Sequence, residues 1–461
     1  MADARLERKV GLGGAVFLLV GLIIGASIFI LPGQLAAEAG PGVVFAYFIA
    51  GGLAIVNCLI AAQVGTILPV SAGDYVFTSI VLHPLLGFLG VWAAMIGLAV
   101  GMPVLAFGFA DYLRFFVPEW DRLAIAIGIM VVLLALNLLG LRTSVRTQMV
   151  MVSIFVSSLL AFGIGGLFYI EPANLTPMVP NGIGSVMSAA VPAFFSYGGF
   201  LTVVVVGEEI RNPGRNIPLA LLLTFLVVAV TYTLVTIVLP GLVPWRELGA
   251  IVAPMSYAST LFLPDWFATA ITLSALLAAA TSINVVILAT SRSFFALARN
   301  RVYPRALSRV SRRTREPDVA MIFVVLIVLG GIAAQGTVVQ YASVSVIGIM
   351  IFGIIWAIAL LRLPAAMPDH YAKAAFRLNG TGIRVVAAIK IAVSVTFLYI
   401  GVRDNLLPGL FYIGLIGLGV VYYLFRQRYL DRVGISLRDL LRNEAVEAAA
   451  ATARSGGSIG Q

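Results

Sequence analysis

Long apolar stretches separated by short polar segments run along most of the chain. A membrane-spanning helix needs about 20 mostly apolar residues, and twelve stretches meet this requirement. We number them as spans one to twelve, and they cover residues 12–36, 42–68, 86–116, 122–140, 148–170, 184–207, 219–241, 266–291, 318–335, 338–361, 384–402 and 406–426. The pattern predicts an all-α polytopic membrane protein with twelve transmembrane helices.

The composition narrows the possible function classes. Of the 461 residues, 61% are apolar and 11% are charged, whereas soluble proteins carry about 25% charged residues. The single cysteine, Cys58, excludes an intrachain disulfide, and two distant histidines disfavour a zinc site. The spans contain no paired carboxylates and no nucleophile motif beside a base. The sequence therefore predicts no enzymatic activity and no bound cofactor.

Basic residues are distributed unevenly between the polar segments. With the N-terminus in the cytoplasm, 25 lysines and arginines lie on that side and four on the other, while Lys390 lies within span eleven. The positive-inside rule then predicts that both termini are cytoplasmic. This asymmetry accounts for the net charge of +10, so we expect the lipid bilayer, and no nucleic acid, as a partner. The expected location is the plasma membrane, the inner membrane of a bacterium.

Glycine and proline interrupt two spans that are five apart in order. Span one contains GLIIGASIFILPG at 21–33, and span six contains PAFFSYGGF at 192–200. Matched breaks of this kind mark a midplane binding site in transporters built from inverted repeats. We expect a five-plus-five repeat with two further spans. Its segments are a cytoplasmic N-terminus (1–11), a first repeat (12–170), a second repeat (184–361), spans eleven and twelve (384–426) and a cytoplasmic tail (427–461).

Four segments resemble motifs of the amino acid–polyamine–organocation (APC) superfamily. They are the break in span one, PVSAGDY at 69–75, GEEIRNPGRNIP at 207–218, and the segment from Asn284 to Pro304. The resemblance extends in order to about residue 425. It implies the leucine-transporter fold and a secondary transporter of amino acids or related amines.

The break in span one is the predicted carboxylate site. Backbone N–H groups lose their partners where a helix breaks, and the following half-helix presents its positive end. Gly25, Ala26 and Ser27 have small side chains, so a ligand can reach their backbone. The family resemblance places the carboxylate there and the amino group near carbonyls around Ile23, Ile24 and the segment 194–197. The Ser27 hydroxyl replaces a glycine common in relatives, and it either binds the carboxylate or bonds its own helix.

Span six supplies the remaining predicted substrate contacts. They are Phe194, Phe195, Ser196, Tyr197 and Gly198, and Phe195 resembles the family's gating aromatic residue by position. Some relatives carry an acidic residue near Gly198 or Leu201, but this chain does not. A cationic substrate in a low-dielectric site needs a counter-charge. We therefore expect a neutral amino acid rather than arginine, lysine or a polyamine.

A coupling sodium ion is predicted on span eight. Ala278, Thr281 and Ser282 lie at i, i+3 and i+4, on one helix face, and they resemble the pattern of sodium-coupled members of this fold. The same alignment adds the carbonyl groups of Gly21 and Ile24. Span five has no lysine to replace sodium, and Phe155 stands at that position. The alternatives are hydroxyls bonded to their own helix, with proton-coupled transport or obligate exchange.

The remaining charges are predicted to lie near the ends of spans. Asp74, Glu208, Glu209 and Arg211 are candidates for a cytoplasmic gate, which Arg142, Arg146 or Arg292 would join; the alternative is a solvated helix end. We also expect Asp111 to pair with Arg114 at the outer rim. Lys390 is expected to extend to the cytoplasmic interface, because its long side chain can reach the headgroups.

Overall fold

The helices of the computed structural model follow the predicted apolar stretches. The structure describes residues 11–67, 73–140, 145–202, 210–311, 314, 316–374 and 376–434. Its α-helices are α1 (Leu12–Ile23), α2 (Ser27–Ala39), α3 (Val43–Ile67), α4 (Gly73–Val81), α5 (Pro84–Leu113), α6 (Arg122–Leu138), α7 (Val145–Gly166), α8 (Gly182–Phe195), α9 (Pro213–Leu242), α10 (Trp245–Leu248), α11 (Pro254–Thr260), α12 (Asp265–Arg299), α13 (Asp318–Ala333), α14 (Val338–Ala366), α15 (Pro368–Lys373), α16 (Gly380–Asp404) and α17 (Leu406–Arg432).

Each predicted span coincides with one helix or with one broken helix. Within the described residues, eight helical segments are long and apolar enough to cross a membrane, and α1, α6, α8 and α13 are shorter apolar helices. The chain is therefore an all-helical polytopic membrane protein. Three helices continue past their predicted ends, α12 to Arg299, α14 to Ala366 and α17 to Arg432, because an apolar-stretch criterion ends a span where charged residues begin although the helix itself goes on.

Local signals explain where several helices begin. Asp121 accepts a hydrogen bond from the Ala124 N–H at 2.8 Å and caps α6, as expected for an N-cap carboxylate. Thr337 and Gln340 form a capping box at the start of α14, which satisfies two N–H groups reciprocally. Such caps act within one turn of the chain, so the helix starts follow from nearby sequence.

Small residues let the central helices approach closely. α5 packs against both α14 and α12. A Cβ atom added at Gly97 of α5 would lie 2.8 Å from the Ser345 carbonyl oxygen of α14, so only glycine fits this contact. Close approach through small residues is the usual way in which membrane helices associate. The two broken helices lie beside these central helices, since α8 packs against α14, α2 against α5, and α1 against α12.

Candidate functional site

Span one is broken between α1 and α2, where the sequence predicts. The Ile24 N–H still bonds to the Val20 carbonyl, but the Gly25 N–H bonds to the Ile23 carbonyl at 2.8 Å, and α2 begins at Ser27. In the first turn of α2 the Phe29 N–H bonds to the Ala26 carbonyl at 3.0 Å, whereas the N–H groups of Ser27 and Ile28 precede the first helical acceptor. Because α2 presents the positive end of its dipole here, the break is suited to an anionic group.

Span six is broken after Phe195. Pro192 lies in the last turn of α8, and the Ser196 and Tyr197 N–H groups bond to carbonyls three residues back. The chain then forms a 3-10 turn over Gly198–Thr202. Proline removes a helical hydrogen bond, and glycine costs little in irregular backbone. Carbonyl groups near the break are thus free of α-helical partners.

One cavity of about 80 Å³ joins the two breaks. None of the described residues that line it is charged. Six of the predicted substrate and sodium residues contribute to it, together with apolar side chains of α5, α12 and α14. The lining consists of Ile23, Gly25, Ser27, Leu98, Leu105, Phe195, Gly198, Gly199, Ser282, Val285, Val286, Ala289 and Ile349.

The other predicted substrate residues are buried beside this cavity and do not line it. Ile24 and Ala26 are almost completely buried in the first break. The Phe194 side chain points away from the cavity, because its ring packs edge-on against Phe397 of α16 at a centroid distance of 6.3 Å. Ser196 and Tyr197 meet side chains of α3 and α9.

Tyr232 of α9 links the two breaks through its hydroxyl group. Its oxygen lies 3.1 Å from the Ile23 carbonyl and 2.8 Å from the Ser196 carbonyl. These are carbonyls for which the family resemblance predicted contact with the substrate amino group. Sequence reasoning missed Tyr232, although a tyrosine within an apolar span is a usable signal, since a buried phenol needs a hydrogen-bond partner.

Two further tyrosines surround this hydroxyl. Tyr197 donates a hydrogen bond to the Tyr47 carbonyl at 3.2 Å, and the Tyr47 hydroxyl lies 3.4 Å from the Ser196 hydroxyl. The Tyr232 ring lies 5.0 Å from the Tyr197 ring and 5.7 Å from the Tyr47 ring, both edge-on. Aromatic contacts of this geometry add to the energy of burial, so the cluster holds the second break against α3 and α9.

Phe195 forms one wall of the cavity and packs against a glycine of α5. A Cβ atom at Gly101 would lie 2.5 Å from the Phe195 ring and 2.7 Å from the Ser345 hydroxyl. The ring therefore occupies space that any larger residue on α5 would take. This position fits the predicted gating role, because rotation of the ring would change access to the cavity.

The predicted sodium residues are only partly brought together. The Ser282 hydroxyl is buried without a hydrogen-bond partner, and a Cβ atom at Gly25 would lie 2.3 Å from it. Thr281 instead donates to the carbonyls of Leu277 and Ala278, at 2.8 and 3.0 Å. Gly21 contacts Val152 of α7. Among the described residues, no group of three or more His, Cys, Asp or Glu side chains could hold a metal ion.

The gate prediction lies mostly outside the described part of the chain. Glu208 and Glu209 are outside it, as is the side chain of Asp74. Arg211 is described and is exposed. Arg292, which was expected to join this group, has its guanidinium 3.8 Å from the nearly buried carboxylate of Glu316. The gate therefore stays a prediction.

Two predictions about charged side chains are wrong. Asp111 forms a two-bond ion pair with Arg122, at 2.6 and 2.8 Å, rather than pairing with Arg114. The helix turn that brings α6 back against α5 creates this contact, which the spacing along α5 alone does not reveal. Lys390 does not reach the interface, because its side chain is 1% exposed and faces the bundle interior.

Comparison with known proteins agrees with this arrangement. The family described as "Amino acid permease" matches residues 10–421. The branched-chain amino acid permease BcaP of Bacillus subtilis is 27% identical over 341 residues, which cover 70% of this chain and 73% of the relative. The methylthioribose transporter of the same organism is 26% identical over 434 residues, covering 89% and 91%. The chloroplastic cationic amino acid transporter 9 of Arabidopsis thaliana is 30% identical over 328 residues, covering 66% and 58%. Because the family match spans most of its length, the chain belongs to the amino acid permeases of the APC superfamily.

Proposed function

We propose that this protein is a secondary active transporter that carries neutral amino acids across the bacterial inner membrane, with both termini cytoplasmic. The observation that carries the proposal is an uncharged cavity that both helix breaks help to line. Alternating access then occurs by movement of the broken helices around that cavity.

The chemistry of the cavity matches the parts of a neutral amino acid. N–H groups at the start of α2 would receive the carboxylate, and the carbonyls of Ile23 and Ser196 would receive the ammonium group. The side chain of the substrate would face Leu98, Leu105 and Val286. An apolar wall without a counter-charge disfavours a cationic side chain, since an unpaired buried charge is costly.

We extend the proposal to the leucine-transporter fold with twelve spans. Helices five spans apart have similar lengths, as the inverted repeat requires. The broken spans begin with α1 of 12 residues and α8 of 14 residues. Spans three and eight are α5 and α12, of 30 and 35 residues. Spans four and nine are the short helices α6 and α13, of 17 and 16 residues.

Uptake by the purified full-length protein in proteoliposomes tests the substrate class. We expect saturable uptake of L-leucine or another neutral amino acid, with the L-isomer preferred. Arginine and methylthioribose are the competing ligands to include, because transporters named for such substrates are among the relatives. Uptake of arginine or methylthioribose without any neutral amino acid would contradict the proposal.

We also propose that sodium binds near Ser282 and drives uptake. Support comes from the buried, unpartnered Ser282 hydroxyl, which lies against the backbone at Gly25. A hard cation prefers oxygen ligands, and the break supplies carbonyl groups beside this hydroxyl. In the described conformation the Thr281 hydroxyl bonds to its own helix, so it would have to rotate to join the site.

Replacing sodium with choline tests this second step. We expect sodium-stimulated uptake in the wild type and loss of that stimulation in Ser282→Ala. Ser291→Ala is the matched control, because that hydroxyl bonds to the Leu288 carbonyl of the same helix. Sodium-independent uptake by the wild type would contradict sodium coupling. Counterflow without net uptake would indicate obligate exchange, and uptake driven by a proton gradient in the absence of sodium would indicate proton coupling in place of sodium coupling.

A further inference from the structure

Lys390 lies inside the helical bundle, near the middle of α16. Its aliphatic chain fills the space left by Gly353, which lies midway along α14. A Cβ atom at Gly353 would lie 2.3 Å from Cε and 2.6 Å from Nζ of Lys390. Lysine is rare at such depth because its charge is costly in the membrane. The glycine therefore makes room for a side chain that needs a functional explanation.

The amino group of Lys390 has no hydrogen-bond partner in the described part of the structure. The Ser394 hydroxyl, one turn along α16, is buried and unpartnered as well. The helices packed against α16 are α3, α8, α14 and α17, and among them only α17 carries a carboxylate, near its end. Their titratable or charged side chains, none of which is hydrogen-bonded to Lys390, are Tyr47, Cys58, Tyr341, Arg362, Tyr412, Tyr422, Tyr423, Arg426, Arg428, Tyr429, Asp431 and Arg432.

The close packing limits what this amino group can bind. Contact with the Gly353 backbone leaves no space for an inorganic anion on that side of Nζ. A buried ammonium group without a partner is unfavourable, and the usual outcome is loss of the charge. A proton is therefore the ligand that this site can gain or lose without needing additional space beside Gly353.

Lys390 is in contact with the broken part of span six. Its Nζ atom lies 5.8 Å from the centre of the Phe194 ring. Phe194 is adjacent to Phe195, which lines the cavity, and its carbonyl accepts the Tyr197 N–H within the break. Any movement of this break displaces the Phe194 ring and so changes the surroundings of Nζ.

We propose that Lys390 is a proton-binding site whose occupancy changes as span six moves. In the described conformation no hydrogen-bond partner reaches Nζ, and these surroundings favour the neutral amine. When Phe194 withdraws, water or freed carbonyls reach Nζ, the amine takes a proton from water, and the ammonium forms. The reverse movement returns that proton. The inference builds on the proposed transport function, and it adds a proton link at a place distinct from the cation site at Ser282.

Proton binding can be measured without any transport assay. The chain contains three lysines, Lys9, Lys373 and Lys390, so the double variant Lys9→Arg/Lys373→Arg leaves Lys390 as the only one. We expect the ¹³Cε signal of this lysine, measured by NMR in nanodiscs, to show the neutral amine at pH values at which a solvated lysine is still ammonium. A signal that remains ammonium throughout the neutral and mildly basic range would overturn the proposal.

The link to transport needs a second measurement. We expect an inward proton gradient to accelerate L-leucine uptake by the wild type and by the control Lys373→Met. Lys390→Met, which is neutral and of similar length, should lose the acceleration but keep leucine counterflow. If an inward proton gradient still accelerated leucine uptake by Lys390→Met, the link between Lys390 and transport would be overturned. If the wild type transports no leucine, the proposed function fails, while the NMR titration still decides whether Lys390 binds a proton.

Discussion

The hydroxyl group of Tyr232 lies 3.1 Å from the carbonyl oxygen of Ile23, the last residue of α1. The same hydroxyl lies 2.8 Å from the Ser196 carbonyl in the second break. A phenol has one proton to donate, so it serves one carbonyl at a time. The Ile23 carbonyl also accepts the Gly25 N–H at 2.8 Å. We expect a substrate ammonium group to compete with Tyr232 for these carbonyls, which would couple the two breaks.

Tyr232→Phe tests this coupling. The substitution keeps the ring and removes the donor. The Ile23 carbonyl keeps its bond to the Gly25 N–H, but the Ser196 carbonyl loses the Tyr232 donor, and an unsatisfied buried acceptor costs about 1–3 kcal/mol. We expect a lower melting temperature and a clear loss of L-leucine uptake. Tyr412→Phe is the control, because that hydroxyl bonds to the Ala93 carbonyl away from the cavity. If Tyr232→Phe kept full uptake while losing stability, the hydroxyl would have only a structural role.

Gly25→Ala tests the contact between the first break and α12. The new methyl group would lie 2.3 Å from the Ser282 hydroxyl oxygen, so α1 and α12 would have to separate. We expect a strong loss of thermal stability, measured in detergent. Adding Ser282→Ala removes the clashing oxygen and leaves a 3.3 Å contact with its Cβ atom, so the double variant should regain part of the loss.

The control for that clash is Gly128→Ala in α6. Nothing lies within 4 Å of a Cβ atom there, and alanine is favoured over glycine in a helix interior by about 0.5–1 kcal/mol. We expect this variant to be at least as stable as the wild type. If Gly25→Ala and Gly128→Ala had the same melting temperature, Gly25 and Ser282 would not approach as closely as the structure indicates.

Phe195 is predicted to control access to the cavity. Phe195→Ala removes the ring that separates the cavity from Gly101 of α5, so larger side chains should fit. We expect leucine uptake with a raised KM and new uptake of bulkier amino acids, measured by competition. Phe195→Leu, which refills part of the volume, should recover some selectivity. An unchanged substrate range in Phe195→Ala would argue against a gating role.

The Asp111–Arg122 pair is predicted to stabilise the outer ends of α5 and α6. Arg122 makes two parallel bonds to the carboxylate and also lies 4.4 Å from the Phe107 ring centre. Bonds to charged groups contribute about 1.5–3 kcal/mol, so Asp111→Asn should lower the melting temperature. Arg122→Lys should also destabilise, because lysine cannot form the two-bond contact.

An exposed ion pair provides the contrast. Arg403 bonds to its neighbour Asp404 at 2.7 Å, with half of the Arg403 side chain exposed. Solvent-exposed pairs contribute little to stability, because water screens the two charges and the long side chains lose freedom when they pair. We expect the melting temperature of Arg403→Lys to be close to that of the wild type. If Arg122→Lys and Arg403→Lys lowered the melting temperature equally, burial would not strengthen the Asp111–Arg122 pair.

Much of the architecture was predictable from the sequence because its causes are local. An apolar stretch of sufficient length predicts a membrane helix wherever it packs. Glycine and proline weaken a helix at their own positions, so breaks in spans one and six could be predicted. The structure confirms them, because α1 ends at Ile23 and α8 ends at Phe195. The predicted residues Gly25, Ser27 and Gly198 line the same cavity for the same reason, since they belong to those breaks.

The tertiary structure decided which side chains meet. Tyr232 reaches Ile23 across 209 positions of sequence, and no local pattern encodes that contact. The partner of Asp111 depends on how α6 folds back against α5. Lys390 faces inward because Gly353, on another helix, leaves space for it. Helix formation and helix breaking depend on neighbouring residues, whereas hydrogen bonds, ion pairs and burial between helices depend on packing that only the folded chain defines.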